Sequence, residues 1–152
     1  MGKFLKTTFH EKENRASMIL ERIHTNVCGP FLVASTKKHR YYVIFFDDYS
    51  HICWILFMQK KSEMFSKFCE FKALVEKESG KQVKALWSDN GGEYISGEFK
   101  DFCSKEGIRR ELIAPHNPQQ NGVAERKNRT IVGAARAMLP DQGLPMNLWA
   151  EA

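Results

Sequence analysis

The chain reads as an α/β domain, a five-stranded mixed sheet flanked by helices, with its elements in the order βββαβαβα. Three observations predict this. Tyr41-Tyr42-Val43-Ile44-Phe45-Phe46 is a continuous apolar and aromatic run of the kind that fills a buried strand. The segment 62–80 spaces its apolar residues by three and four, the period of an amphipathic helix. Strands come first and strand–helix units alternate after them, which favours helices layered on one mixed sheet. With 152 residues, 43% of them hydrophobic and 27% charged, the chain suits one globular domain with its own core.

Residues 1–17 are polar and basic without a clear period and read as a linker. Fair alternation over 20–27 predicts the first strand, the run at 40–47 the second, and 51–58, apolar on both faces, the third. Asp48-Tyr49-Ser50 is a short turn between the last two, so the three should form an antiparallel meander. Ser62 is the expected N-cap of the first helix, with Phe65, Phe68, Cys69, Phe71, Leu74 and Val75 as its apolar stripe and an end near Gly80. That aromatic stripe fits either core packing or a partner surface. A short strand over 83–87 runs up to Asp89, and Asn90-Gly91-Gly92 breaks it. A second helix over 97–105 closes on Gly107, and a fifth strand covers 108–113. The Pro/Asn/Gln stretch 115–121 is a loop, and a third helix over 122–139 stops at Pro140. Residues 147–152 look like the opening of a further helix that is cut off, so a fragment of something longer is expected.

The balance of 23 Lys and Arg against 18 Asp and Glu, a net charge of +5, mildly favours a polyanionic partner. Cys28, Cys53, Cys69 and Cys103 form no C-x-x-C pair and read as thiols of a reducing compartment, and the dispersed histidines give no zinc spacing. No apolar run approaches the roughly 20 residues of a membrane span. Met1-Gly2-Lys3-Phe4-Leu5-Lys6 is too short and too broken by lysines for a signal peptide. The expectation is an intracellular protein without a membrane.

Asp89 and Glu125, with 35 residues between them, carry the chemistry. Asp89 should stand at the carboxyl end of a strand, where open α/β sheets place their sites. Glu125 should stand in the first turn of a helix, sharing a face with Arg129 and, further on, Arg136. Taken alone, such carboxylates read as a turn residue and a helix-dipole partner worth a few tenths to about 1 kcal/mol. Arranged around a divalent cation they would serve displacement at phosphorus, with hard oxygen donors suited to Mg²⁺ and guanidinium groups neutralising phosphates.

The surroundings decide between these readings. His24-Thr25-Asn26-Val27-Cys28-Gly29-Pro30, Phe46-Asp47-Asp48-Tyr49-Ser50, Trp87-Ser88-Asp89-Asn90-Gly91-Gly92-Glu93-Tyr94 and the block from Pro115 to Thr130 follow one another in order. Together they closely resemble the catalytic core of copia-type LTR-retrotransposon integrases, a branch of the retroviral integrase superfamily, from about Leu20 onward. The resemblance implies a ribonuclease H-like fold and a polynucleotidyl transferase of the Asp, Asp, Glu type. Such an enzyme joins the 3′ ends of element DNA to target DNA with Mg²⁺ or Mn²⁺, in a two-metal site. Asp89 and Glu125 match the second and third acidic positions. Asn26 falls on the first, an aspartate in the family. The mobile loop before the glutamate implicates Gln119, Gln120 and Asn121 in DNA contact, beside Arg126, Lys127, Arg129 and Arg136.

The resemblance also implies a homo-oligomer, an origin in a Pol polyprotein, and a location in the nucleus or a cytoplasmic virus-like particle. The family carries an upstream zinc module whose last ligands precede a Gly-Lys pair like Gly2-Lys3. Residues 1–17 would then be the tail of that module, with no zinc ligands in this fragment, and 18–152 the catalytic core, truncated at its C-terminus.

Asn26 weakens the chemical side of the resemblance. An amide oxygen is neutral, and its NH₂ end repels a cation, so a single or weak metal ion and impaired strand transfer are expected. A catalytically silent DNA-binding or assembly module of the same fold is the alternative, and a ribonuclease H-like nuclease unrelated to transposition is a third reading. Decay, deliberate inactivation and a retained binding role explain Asn26 equally. Asp47 and Asp48, at the far end of the meander, should be turn residues and not substitutes. Trp54, Trp87 and Trp149 read as core or interface anchors, and Arg109 and Arg110 fit DNA contact and solvation equally well. Lys60, Lys61, Lys72, Lys77 and Lys81 read as a solvated helix and its flanks, and phosphate contacts without strong sequence choice are expected.

Overall fold

The computed structural model describes residues 15–31, 34, 36–89, 91–112 and 126. Five strands are present: β1 (Ile23–Cys28), β2 (Tyr41–Asp47), β3 (Cys53–Met58), β4 (Ala85–Ser88) and β5 (Arg109–Leu112). They form one sheet in the order β3-β2-β1-β4-β5. The first three strands pair antiparallel, while β1–β4 and β4–β5 pair parallel. The helices are α1 (Met64–Ser79), α2 (Gly92–Ile95) and α3 (Gly97–Glu106). The expected mixed sheet and element order are therefore present through β5. The helix expected over 122–139 lies outside the described residues apart from Arg126, which is helical and exposed.

Boundaries shifted where side chains compete for backbone groups. The first strand starts at Ile23 because Leu20, at φ 65°, leaves the extended region and donates its N–H to Asp47 Oδ1 at 2.9 Å. The third starts at Cys53 because His51 takes φ 66° in the turn and donates its N–H to the Asp47 carbonyl at 2.9 Å. Ser62 is not the cap of the first helix. It lies within a 3-10 turn, Lys61–Glu63, closed by Glu63 N–H donating to the Lys60 carbonyl at 3.1 Å. Glu63 Oε1 returns to accept from Lys60 N–H at 3.2 Å. The four-residue α2 was not anticipated, since two glycines argue against a helix from local preference alone.

Helix α1 buries Met64, Phe68, Phe71 and Val75, spaced by four, three and four residues, against the sheet. Leu74, expected on that stripe, is 48% exposed, because one residue back from Val75 turns it about 100° off the buried line. Phe71 stacks on Phe45 of β2 with centroids 4.2 Å apart, Trp54 meets Phe71 edge-on at 5.3 Å, and Phe68 stacks on Phe99 of α3 at 5.1 Å. Core packing therefore accounts for the buried aromatics of α1. On the other face of β2, Tyr42, Ile44 and Phe46 are also buried. The unbroken apolar run is thus a strand covered on both sides.

Candidate functional site

Parallel pairing brings the carboxyl ends of β1 and β4 to the same edge of the sheet. Their register matches Ile23 to Leu86 and His24 to Trp87. Carried two residues further, it sets Thr25 against Ser88 and Asn26 against Asp89. Thr25, opposite Phe45, faces the core, so alternation puts Asn26, opposite Ile44, on the other face of the sheet. Both Asn26 and Asp89 are half-buried.

The turn after β4 is locked from several sides. Gly91 N–H donates to Asp89 Oδ1 at 2.8 Å, and Tyr94 N–H donates to the Gly91 carbonyl at 2.9 Å. The buried Tyr94 hydroxyl bonds Thr25 Oγ1 at 3.1 Å, next in the chain to Asn26. Burial raises the Tyr94 phenol above its ordinary value, and the charges of Asp89 and Glu93 add to that, so the hydroxyl keeps its proton. Arg110 donates to the Tyr94 carbonyl, with its guanidinium 4.8 Å from the Phe99 ring centre. Of the two arginines left open by the sequence, Arg110 is thereby built into the turn. The exposed Arg109 pairs with Glu111 on its own strand at 2.9 Å.

Glu93 stands beside Asp89, a neighbour to which sequence reasoning assigned no role. A side chain at Gly91 would place its Cβ 2.8 Å from both Glu93 carboxylate oxygens and 2.9 Å from Asp89 Oδ1. Only a glycine leaves the two carboxylates in these positions. Lys61 Nζ lies 3.9 Å from Glu93 Oε1. The one available signal was the spacing of Glu93 from Asp89, and it has no meaning until the turn between them is known.

Asp47 and Asp48 belong to the opposite end of β1, where the register pairs Asp47 with Ile23. Asp47 Oδ1 accepts from Leu20 N–H and its Oδ2 from Ser50 N–H at 2.7 Å. Asp48 accepts from Ala16 N–H at 2.7 Å and meets His24 Nε2 at 3.0 Å and Arg22 at 3.6 Å. Burial pushes the Asp48 carboxyl up, but the bonds from His24 and Ala16 and the Arg22 charge outweigh it and hold it below the usual range. Trp87 completes this corner, with Arg22 4.2 Å from its ring centre and His24 edge-on at 5.4 Å. These groups brace the fold away from Asn26.

Glu125, Gln119, Gln120, Asn121, Lys127, Arg129 and Arg136 lie outside the described residues, and Arg126 is described only as helical and exposed. Among the described residues, no group of three or more His, Cys, Asp or Glu side chains is gathered to hold a metal ion. The donors present at the site are nonetheless hard oxygens: the Asp89 and Glu93 carboxylates and the Asn26 amide. One Asp89 oxygen is held in place by Gly91 N–H. That donor set fits Mg²⁺ or Mn²⁺ and not a soft metal.

A three-strand meander continued by two parallel strands, with acidic residues at one carboxyl edge, is the ribonuclease H-like architecture of integrase catalytic cores. The family model described as integrase core domain matches residues 20–118, and the chain belongs to that family. Within it the relationship is to copia-type elements. The Pol polyprotein from transposon TNT 1-94 of Nicotiana tabacum is 45% identical across 99% of this chain. That from transposon RE2 of Arabidopsis thaliana is 35% identical across 100% of it. The chain spans only 11% and 10% of those two polyproteins.

Among solved structures, the simian T-cell lymphotropic virus intasome in complex with PP2A regulatory subunit B56 gamma is similar with a TM-score of 0.70 and 21% identity. That similarity covers 90% of this chain and 48% of the other. The HTLV-2 integrase catalytic core domain in complex with magnesium gives a TM-score of 0.64 at 21% identity, over 89% of this chain and 83% of that one. At these identities the likeness is one of fold.

Proposed function

We propose that this chain is the catalytic core of a retrotransposon integrase, which joins the 3′ ends of element DNA to target DNA. The single observation that carries this is the β1–β4 register, His24 against Trp87, which, carried two residues on, brings Asn26 level with Asp89 in a chain of the integrase family. Asp89, Glu125 and, more weakly, Asn26 are the metal-ligating positions. Divalent cations bound there would activate the attacking oxygen and stabilise the leaving oxygen at phosphorus. The HTLV-2 core was solved with magnesium, which supports the same class of ion here.

Asp89, with one oxygen anchored, presents the other at the edge. Tyr94 and Thr25 hold the two strand ends together, so that Asn26 and Asp89 keep their separation. Gln119, Gln120, Asn121, Arg126, Lys127, Arg129 and Arg136 bind DNA, largely through phosphates. A homo-oligomer is the working unit, and the nucleus or a virus-like particle its location.

Asn26 is the reason for a second reading, a module that binds DNA without joining it. Replacing an anion by an amide takes one negative charge from a site that must balance two dications. The site then holds one ion weakly, and strand transfer is impaired. The test is strand transfer, with the simpler disintegration reaction beside it, on short duplex DNA with Mn²⁺, comparing this chain with Asn26→Asp. The expected result is activity at least about tenfold higher in the aspartate variant, about 1.4 kcal/mol in the barrier. Equal activity of the two proteins would overturn the assignment of Asn26, as would two tight metal sites in the unaltered chain. DNA binding without joining by either protein would favour the silent module.

A further inference from the structure

Beside the carboxylates, at the same edge of the sheet, lies a cavity of ≈ 370 Å³ lined by Pro30, Arg40, Tyr41, Gln59, Lys60 and Lys61. The topology puts it there, because β3 runs parallel to β1 and ends where β1 ends, while β2 begins there. Its walls are fixed. Arg40 N–H donates to the Met58 carbonyl at 3.0 Å, and Phe31 N–H donates to the Arg40 carbonyl at 2.9 Å. The Arg40 guanidinium donates twice to the Phe31 carbonyl, at 3.3 and 3.2 Å, which holds its charge in the wall. Gly29, at φ 127°, lets the chain pass so close that a Cβ would stand 2.6 Å from the Arg40 carbonyl oxygen. Gln59 is tied through Nε2 to the Lys37 carbonyl at 3.2 Å.

Three of the six lining residues are cationic, and among the described residues neither Arg40 nor Lys60 has a carboxylate partner. Two acids lie nearby: Glu63 accepts the Lys60 backbone N–H, and Glu93 stands 3.9 Å from Lys61 Nζ. Glu93 is largely buried, but Lys61 is half exposed and 3.9 Å is a long contact, which leaves Lys61 able to meet a second anion. Two lysines of α1 differ, since Lys72 is held by Glu76 at 2.7 Å and by Glu106 at 3.4 Å and Lys67 lies 3.5 Å from Glu70.

We propose that this cavity seats a phosphodiester group of the DNA strand whose reacting phosphorus lies at Asp89. Lys60 and Lys61 supply charge, and Tyr41 and Gln59 supply neutral donors. The three legs from Lys61 Nζ to Glu93, to the Gly91 position and to Asp89 Oδ1, 3.9, 2.8 and 2.9 Å, keep cavity lysine and carboxylate less than 10 Å apart. That reach is short enough for the cavity to hold a phosphate close to the reacting one on the same strand. The proposal rests on the integrase reading and adds to it a phosphate subsite.

The test measures anisotropy of a short fluorescein-labelled duplex with the full chain, in EDTA so that catalysis plays no part, over a series of salt concentrations. Lys60→Ala/Lys61→Ala should weaken binding about tenfold and lower the slope of log K against log salt by about 2. Lys60→Gln/Lys61→Gln, which keeps most of each side-chain stem, should match it and so separate charge from packing. Lys77→Ala/Lys81→Ala, at the far end of α1, should change neither quantity as much. Equal losses in the two alanine pairs would overturn the subsite and leave the integrase reading standing. Failure of the unaltered chain to bind duplex DNA at any salt would overturn both.

Discussion

Asp89 owes its position to a residue with no side chain. At Gly91 a methyl group would meet the oxygens of Glu93 and Asp89 inside 3 Å, and Asp89 Oδ1 is pinned by the same residue's N–H. Glu93 can swing away at little cost, so Gly91→Ala should lower stability by less than about 1 kcal/mol. The carboxylates would part, however, and Mn²⁺ affinity measured by calorimetry should fall several-fold. An unchanged affinity would show that Glu93 and Asp89 are not held as a pair. Asp48 makes a separate prediction. Its folded carboxyl sits below the ordinary value, so the stability it contributes is present above the unfolded value near pH 4 and is lost as pH falls through the lower folded one. Asp48→Asn should therefore cost about 1–3 kcal/mol at pH 7, through lost charge-assisted bonds, and progressively less below pH 4. A urea melt at each pH measures this, and a pH-independent loss would contradict it. Glu93 stands in the same motif block as Asp89, but only the folded turn at Gly91 brings the two carboxylates together, and the Ala16–Asp48 bond joins residues 32 apart that no block connects.

At the scale of elements, every described strand and both long helices were legible, most clearly β2 and α1, which bury one or two faces with a definite spacing, whereas β5 buries no residue fully. Periodicity failed where a turn is held by tertiary bonds. Helix α2 contains two poor helix formers in four residues, Gly92 and the β-branched Ile95, and exists because Tyr94 is anchored in the core. Its hydroxyl meets Thr25, its backbone carbonyl accepts from Arg110, and its ring meets Phe99 edge-on at 6.1 Å. Tyr94→Phe keeps the ring and removes one buried hydrogen bond, leaving Thr25 Oγ1 unsatisfied, and should cost about 1–2 kcal/mol. Because Thr25 adjoins Asn26, hydrogen exchange should quicken first at α2 and at the carboxyl end of β1. Uniform acceleration over the whole sheet would instead mean that α2 has no local role.

On the scale of the whole molecule, one sheet edge collects the candidate ligands while the opposite edge, with Asp47, Asp48, His24 and Arg22, binds the N-terminal approach to β1. This division was legible in the sequence as soon as an antiparallel meander was assumed, since pairing alone separates Asn26 from Asp47. The basic cavity was not, because it is assembled from three strand ends and a corner at Gly29 that no single segment reveals. An edge that gathers like charges stores repulsion in the metal-free protein, and Asn26 relieves part of it. Restoring the acid should therefore divide stability from metal affinity. A carboxylate at position 26, level with Asp89, adds about 1 kcal/mol of repulsion in a partly solvated site. In EDTA, Asn26→Asp should melt ~2–4 °C lower than the unaltered chain. Saturating Mn²⁺ should reverse the order, since a cation bound only by the folded state adds about 2.7 kcal/mol at a hundred times its dissociation constant. The unaltered chain, with its weaker site, should gain less over the same titration. Differential scanning fluorimetry of both proteins, with and without Mn²⁺, reads the two shifts together. A variant as stable as the parent in EDTA, or one that gains no more from Mn²⁺, would place Asn26 away from the metal-binding edge.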